Sequence, residues 1–236
     1  MPSRENNEGK DTEMQRFKLL GVAILAVVAL SAIASASASA AELPEFLPGN
    51  AGEKFTGTSG AGTLEVNALE KITCSSDTVT GENVGTTKKE ASATVTFKGC
   101  SAFGIAGAKS LGEAEGTIVA HVKLKLCYIN ISTKEPGVLT KVEKPVHIEV
   151  AGKLLVVEGD QVAKISPSNT KTKEFKLTYE ESGGKPKPDG CQVEKEKKVE
   201  LLNEHLTTAV NEGTPVESGE QTVETTTYTN AQTLDA

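Results

Sequence analysis

The stretch Gly116–Ile129, GTIVAHVKLKLCYI, decides the fold class. Ile118, Ala120, Val122, Leu124 and Leu126 fall on one side of it, and Val119, His121, Lys123 and Lys125 on the other. Alternation with a period of two is the pattern of a strand with one buried and one wet face. Such strands are the habit of antiparallel sheets.

Neighbouring segments repeat the pattern. In TLEVNALEKITC (63–74) the apolar set is Leu64, Val66, Ala68, Ile72 and Cys74, interrupted by Glu70. In ASATVTF (91–97) it is Ala91, Ala93, Val95 and Phe97. PVHIEV (145–150) turns Val146, Ile148 and Val150 inward, and EFKLTY (174–179) does the same with Phe175, Leu177 and Tyr179. Between them lie turn-formers at short spacing: SSD, TGENVG, EPG, AGK, EGD and SPSN. The segment Gln192–Leu206 is ambiguous. Val199, Leu202 and Leu206 have helical spacing, while Val193, Val199 and Leu201 fit alternation after Cys191; its first half reads better as strand. The polar tail carries one or two strands around TVETTTYT and QTLDA, and ESGGKPKPDG (181–190) reads as an exposed loop. The expectation is an all-β, antiparallel sandwich or barrel-like single domain over residues 63–236. A flexible lead-in covers 42–62, and an N-terminal extension with a signal helix covers 1–41.

The N-terminal reading rests on order. Arg16 and Lys18 precede an apolar run, Leu19–Ile33, and small residues follow, with Ala-x-Ala at Ala38–Ala40. A basic flank, an apolar segment and a small-residue site make a secretory signal, with cleavage after Ala40 or Ala41. The rival is an uncleaved anchor, since Leu19–Ala41 is uncharged over about 23 residues, long enough to span a bilayer. The expected location is therefore outside the cell, secreted or at the surface, and membrane-anchored only if that segment is retained.

Charge narrows the partners. The first forty residues balance Arg4, Lys10, Arg16 and Lys18 against Glu5, Glu8, Asp11 and Glu13, so the remainder carries the whole net charge of −7. It holds no Arg, Met or Trp. Arg is the usual residue for forked recognition of phosphates and base edges. Its absence in an acidic chain argues against nucleic acid, and the charge is most simply solvating.

Four cysteines, Cys74, Cys100, Cys127 and Cys191, follow the signal. None has C-x-x-C spacing, so a zinc site or redox dithiol is not indicated. An even number in an exported chain reads as disulfides, with three pairings open. Cys74–Cys100 and Cys127–Cys191 is the preferred pairing, because Cys74 and Cys100 each end a strand. Closing loops of about 27 and about 65 residues corresponds to ~3.6 and ~4.3 kcal/mol of chain entropy. Ties matter here because aromatics are few: Phe46, Phe55, Phe97, Phe103, Phe175, Tyr128, Tyr179 and Tyr228 are all that follow the signal.

Residues that usually carry catalysis are scarce. His121 and His147 sit at outward positions of alternating strands, and His205 follows Glu204 in the ambiguous segment; exposed polar roles account for all three. GTSG at Gly57–Gly60 is not G-x-S-x-G, and SNTK at Ser168–Lys171 matches S-x-x-K only in a loop, without companion motifs. GTSGAG lacks the Lys of a phosphate loop, and the acidic loops lack calcium-loop spacing. NIS at Asn130 is formally a glycosylation acceptor. No residue is assigned a catalytic, cofactor-binding or metal role, and no cofactor is expected.

The segments FTGTSGAGTLE, ITCSSDTVTGE, ATVTFKGC, GTIVAHVKLKLCYI, PVHIEV, VEGDQVAKISPSN and SGEQTVETTTYTN occur in order along most of the chain after the signal. In these it resembles a group of uncharacterised secreted proteins of soil actinobacteria. The resemblance implies export and a β-rich fold, and it carries over no activity and no site residue. The functional expectation is a non-catalytic binding, interaction or structural module, with cell-wall polymer or a surface protein as partner. The alternatives are a secreted hydrolase with a site built from distant loops, and a membrane-anchored surface domain.

Overall fold

The alternating stretches become strand, except that 63–74, read as one run, divides into two strands, Gly62–Val66 and Glu70–Cys74, that pair antiparallel with each other; the strands close on themselves. The computed structural model describes residues 43–66, 70–102, 105–195, 198–202 and 205–236; the signal or anchor segment, Ala68 and Phe103 lie outside the described residues. The chain enters with β1 (Glu45–Leu47) and β2 (Lys54–Ser59), adds β3 (Gly62–Val66) and β4 (Glu70–Cys74), and continues as β5 (Ser76–Asn83). After β6 (Glu90–Lys98) come β7 (Ser101–Ala102), β8 (Ile105–Ala106) and β9 (Lys109–Ser110), then the long β10 (Thr117–Asn130). Next are β11 (Glu135–Val142), the hairpin β12 (Val146–Val150) and β13 (Lys153–Glu158), and β14 (Asp160–Ser166). Finally β15 (Lys171–Glu181) leads through β16 (Pro186–Lys187), β17 (Cys191–Lys195), β18 (Lys198–Leu202) and β19 (Thr207–Val210) to β20 (Val216–Asp235). Among the described residues there is no helix, and hence none long and apolar enough to cross a membrane.

Eight strands form a closed antiparallel barrel in chain order: β2, β5, β6, β10, β11, β14, β15 and β20, with β20 pairing back onto β2. Of the two architectures expected, the barrel is the one found. Three connections, β5 to β6, β10 to β11 and β14 to β15, are turns without inserted strands at one end of the barrel. The other four leave from the opposite end and carry all the strands between β2 and β20 that are not barrel staves. Most of these form two small sheets. One runs β20–β3–β4–β7–β8, and the other β9–β12–β13–β19–β20. Together they roof that end.

The last strand ties the parts together. Over its twenty residues β20 pairs in turn with β19, β3, β15, β2 and β1. The tail is thus one continuous strand. Its phase puts Glu220, Thr222, Glu224, Thr226 and Tyr228 on the inward face and leaves Val223 47% exposed.

Of the flexible lead-in expected over 42–62, the described part, 43–62, is built into the fold. Phe46 in β1 and Phe55 in β2 are both core residues, and β2 is paired on both sides. Burial of such side chains, roughly 1.5–3 kcal/mol each, holds the segment in the fold. The ambiguous segment is a hairpin, β17 with β18, and ESGGKPKPDG contains β16, with Pro186 fully buried.

Candidate functional site: an acid-lined cavity in the barrel

An eight-stranded barrel is just wide enough to be filled by its side chains or to hold one small ligand. This barrel does both, at opposite ends. At the turn end Phe46, Phe55, Phe175 and Tyr228 pack with ring centroids 5.1–5.9 Å apart in edge-on and tilted contacts. Gly81 is required here, because a Cβ on it would overlap the Phe55 ring. The Tyr228 hydroxyl donates to Asn83 Oδ1 at 3.2 Å, so the plug's polar tip is satisfied.

At the roofed end the staves carry mostly aliphatic residues, with Phe97 and Tyr179 among them, and a cavity of about 110 Å³ remains. Val95, Ile118, Ala120 and Val122 form its walls, with Val157 and Leu206 closing it from the roof. Its polar groups are few and mostly acidic: Asp77, Glu220 and Glu224, with Thr140, Gln161 and Tyr179.

Asp77 is the first inward residue of β5 and only 3% exposed. Ser59 Oγ–H donates to its Oδ2, while Oδ1 has no partner. Burial pushes its carboxyl up, and the bonds from Ser59 pull it partly back. Glu224 Oε1 accepts from Thr226 Oγ–H at 2.6 Å. Burial drives the Glu224 carboxyl up to about 7, against the Thr226 bond and with the Asp77 charge adding.

Glu220 is held by its backbone. Gln161 Nε2 donates to the Glu220 carbonyl at 2.7 Å, and the Glu220 N–H donates to Gln161 Oε1, also at 2.7 Å. By area Glu220 is only half-buried, since its carboxyl borders the cavity. Protein nevertheless surrounds it, and desolvation, followed by the charges of Asp77 and Glu224, raises it to about 8. Tyr179 shares a 2.8 Å bond with Thr140 Oγ1. Burial, then Glu224 and Glu220, keeps its phenol well above the ordinary value, so it stays a neutral donor or acceptor. On the same inward face, Thr222 Oγ1 is buried without a partner.

No family model, curated protein or solved structure matches this chain. The chemistry of the cavity therefore rests on its own residues. Near neutral pH the Glu220 and Glu224 carboxyls can be donor or acceptor with little free-energy difference between the two states. The apolar walls strengthen any charge–charge contact made there. Among the described residues no three His, Cys, Asp or Glu side chains come close enough to hold a metal ion.

The residues singled out from sequence lie mostly elsewhere. The cysteines pair as preferred: Cys74 with Cys100, Cα atoms 4.0 Å apart, and Cys127 with Cys191, 5.8 Å apart. Only Cys74 touches the cavity, where its bond to Cys100 fastens the roof to the rim. Cys127–Cys191 pins the β17–β18 segment to the outer wall beside Leu139 and Val162.

His121 and His147 are exposed on outer faces, His121 with Nδ1 3.0 Å from Thr94 Oγ1. His205 is not simply exposed. Its Nδ1 lies 2.6 Å from Glu217 and its Nε2 3.0 Å from Asp189. Burial, the largest single influence, lowers its pKa, but the bonds and charges of Glu217 and Asp189 outweigh it and raise the ring above its ordinary value. Ser168 and Lys171 lie at the β14–β15 turn, at the far end from the cavity. Asn130 is exposed and caps its own turn, accepting from Ser132 N–H and Thr133 N–H. The acids of the cavity were missed from sequence. Their signal was phase: Glu220 and Glu224 are in register with Tyr228, and Asp77 with Val79.

Proposed function

We propose that this chain is an exported, non-catalytic binding domain whose ligand occupies the roofed end of the barrel. The observation that carries the reading is the cavity: one half of the barrel is packed with aromatics, and the other keeps about 110 Å³ with apolar walls and convergent polar groups. A concave, mostly apolar site with a few placed polar groups is the usual form of a small-molecule site. A site of this size suits a small molecule better than wall polymer. The signal-like N-terminus and two disulfides support export. A hydrolase using histidine has no geometric support, because the three histidines lie apart and outside the cavity.

The test is ligand-observed and protein-observed NMR of the secreted domain with xenon and n-butanol as probes. Saturable shifts at Tyr179, Thr140 and Val122 are expected, and Ala120→Leu, which fills the cavity, should abolish them. Absence of response, or response confined to the outer wall in both proteins, would overturn the reading.

A further inference from the structure

The carboxyl groups of the cavity face no lining residue of opposite charge. Asp77, Glu220 and Glu224 come from two staves, β5 and β20, and among the described residues none forms an ion pair. Asp77 Oδ1 is a second, separate sign of an unmet need: an unpartnered atom on a side chain 97% buried by area, bordering the space. A buried polar atom without a protein partner is unfavourable, so a ligand group that donates to it is favoured. We propose that the ligand is a compact organic cation, an amine whose apolar body lies against Val95, Ile118 and Val122 and whose ammonium donates to Asp77 Oδ1, with the Glu220 and Glu224 carboxyls bordering the same space.

This rests on the cavity being a binding site and goes further by fixing the charge and size of the occupant. A carboxylate or phosphate finds no countercharge among the residues lining the space and is repelled by each carboxyl that ionises. A neutral alcohol could satisfy one acceptor only. An ammonium brings three donors and the missing countercharge. A bare metal ion lacks the ligand geometry, as no three carboxyls converge closely enough. Size follows from the volume: a cavity of about 150 Å³ admits benzene, so about 110 Å³ admits a body of four or five carbons.

Proton linkage gives an independent readout. The titratable groups facing the space are Asp77 from β5, Tyr179 from β15, and Glu220 and Glu224 from β20. On the strands packed against them, Glu65 is paired with Lys71, and Glu217 with Lys185 and His205. An ammonium favours the ionised carboxyls, so binding releases protons and tightens as pH rises from 6 to 8.5.

The experiment titrates the secreted domain with n-butylamine, n-butanol and butyrate at pH 6 and pH 8.5, by NMR and by calorimetry in two buffers of different ionisation enthalpy. The amine should bind at least tenfold more tightly than the alcohol at pH 8.5, release protons, and bind less well at pH 6, and butyrate should not bind. Glu220→Gln and Glu224→Gln should each reduce the amine's advantage over butanol severalfold, with circular dichroism and a cooperative thermal melt reporting that the variants fold. If butanol binds in the cavity and the amine does no better, or if the advantage survives Asp77→Asn/Glu220→Gln/Glu224→Gln, the inference fails and the pocket stands. If none of the three enters the cavity, the pocket reading fails and the inference with it.

Discussion

Gly57 shows how a single missing side chain makes room for a buried charge. It faces inward on β2, between Phe55 and Ser59, and a Cβ there would overlap Glu224 Oε1 and press on Val79. Gly57→Ala should therefore push Glu224 off Thr226 and destabilise the domain by about 1–3 kcal/mol, the usual cost of overpacking. Urea denaturation measures it. In a Glu224→Ala background most of that cost should vanish, because neighbours in contact are not additive; an equal cost in both backgrounds would mean that Gly57 serves something else. The same pair explains why the site was hard to read. Alternation assigns apolar residues inward by default, and in QTVETTTY that rule turns Val223 to the core. The structure turns it out and Glu224 in. Only Tyr228, whose bulk belongs inside, marked the true phase of that strand, and Gly57 is likewise in phase with Phe55. A few carboxyls in a wall of aliphatics look like outward residues until the closure of the barrel is known.

Among the elements, the two disulfides have separate tasks that the sequence could not distinguish. Strand existence was legible because the sheet has two faces, and for β10, β12 and β15 the apolar sets named from sequence are the sets turned inward. The pairing of the cysteines was a preference among three, argued from strand ends for one pair only; Cys74 does end β4, while Cys127 lies within β10 and Cys191 begins β17. What each pair fastens depends on long-range topology, which period-two patterns do not encode. Cys127–Cys191 holds the β17–β18 segment against the outer wall, across a separation of 64 residues. Cys74–Cys100 holds the roof at the cavity. Removing either as a double Cys→Ala change should lower stability by about 2–4 kcal/mol. Hydrogen exchange and butanol titration separate them. Loss of Cys127–Cys191 should raise exchange in β17 and β18 and spare the cavity shifts, whereas loss of Cys74–Cys100 should raise exchange in β3 and β4 and weaken those shifts. If both variants lose cavity binding equally, the roof and the outer hairpin are one cooperative unit and the division is wrong.

The barrel as a body joins two unlike halves through eight continuous staves, and this has a consequence for how its stability varies with pH. Glu220 and Glu224 titrate near 8 and 7 in the folded chain, above the ordinary 4.5, because burial disfavours their charge. Asp77 is raised for the same reason. Between the unfolded and folded values the native state binds more protons than the unfolded state, so unfolding free energy falls as pH rises. The contribution is fully present below about pH 4.5 and is lost as pH rises through 7 and 8. His205 acts with the same sign, its contribution being lost as pH rises through its raised folded value. A typical total stability is only about 5–15 kcal/mol, so two buried carboxyls shifted in the same direction make a visible part of its pH dependence.

Thermal melts of the unliganded domain should therefore show a Tm that is higher at pH 5 than at pH 9, and Glu220→Gln/Glu224→Gln should flatten most of that slope. Overall charge is the competing cause, since a chain of net charge −7 repels itself more as pH rises. Glu158→Gln separates the two, for Glu158 is exposed at the end of β13. It removes a negative charge from the surface and should leave the slope as it was. A slope that responds equally to Glu158 and to the buried pair would place the pH dependence on the surface and not in the cavity. Saturating n-butylamine should flatten the slope of the native sequence as well, because an ammonium among the carboxyls stabilises the ionised barrel that high pH otherwise weakens.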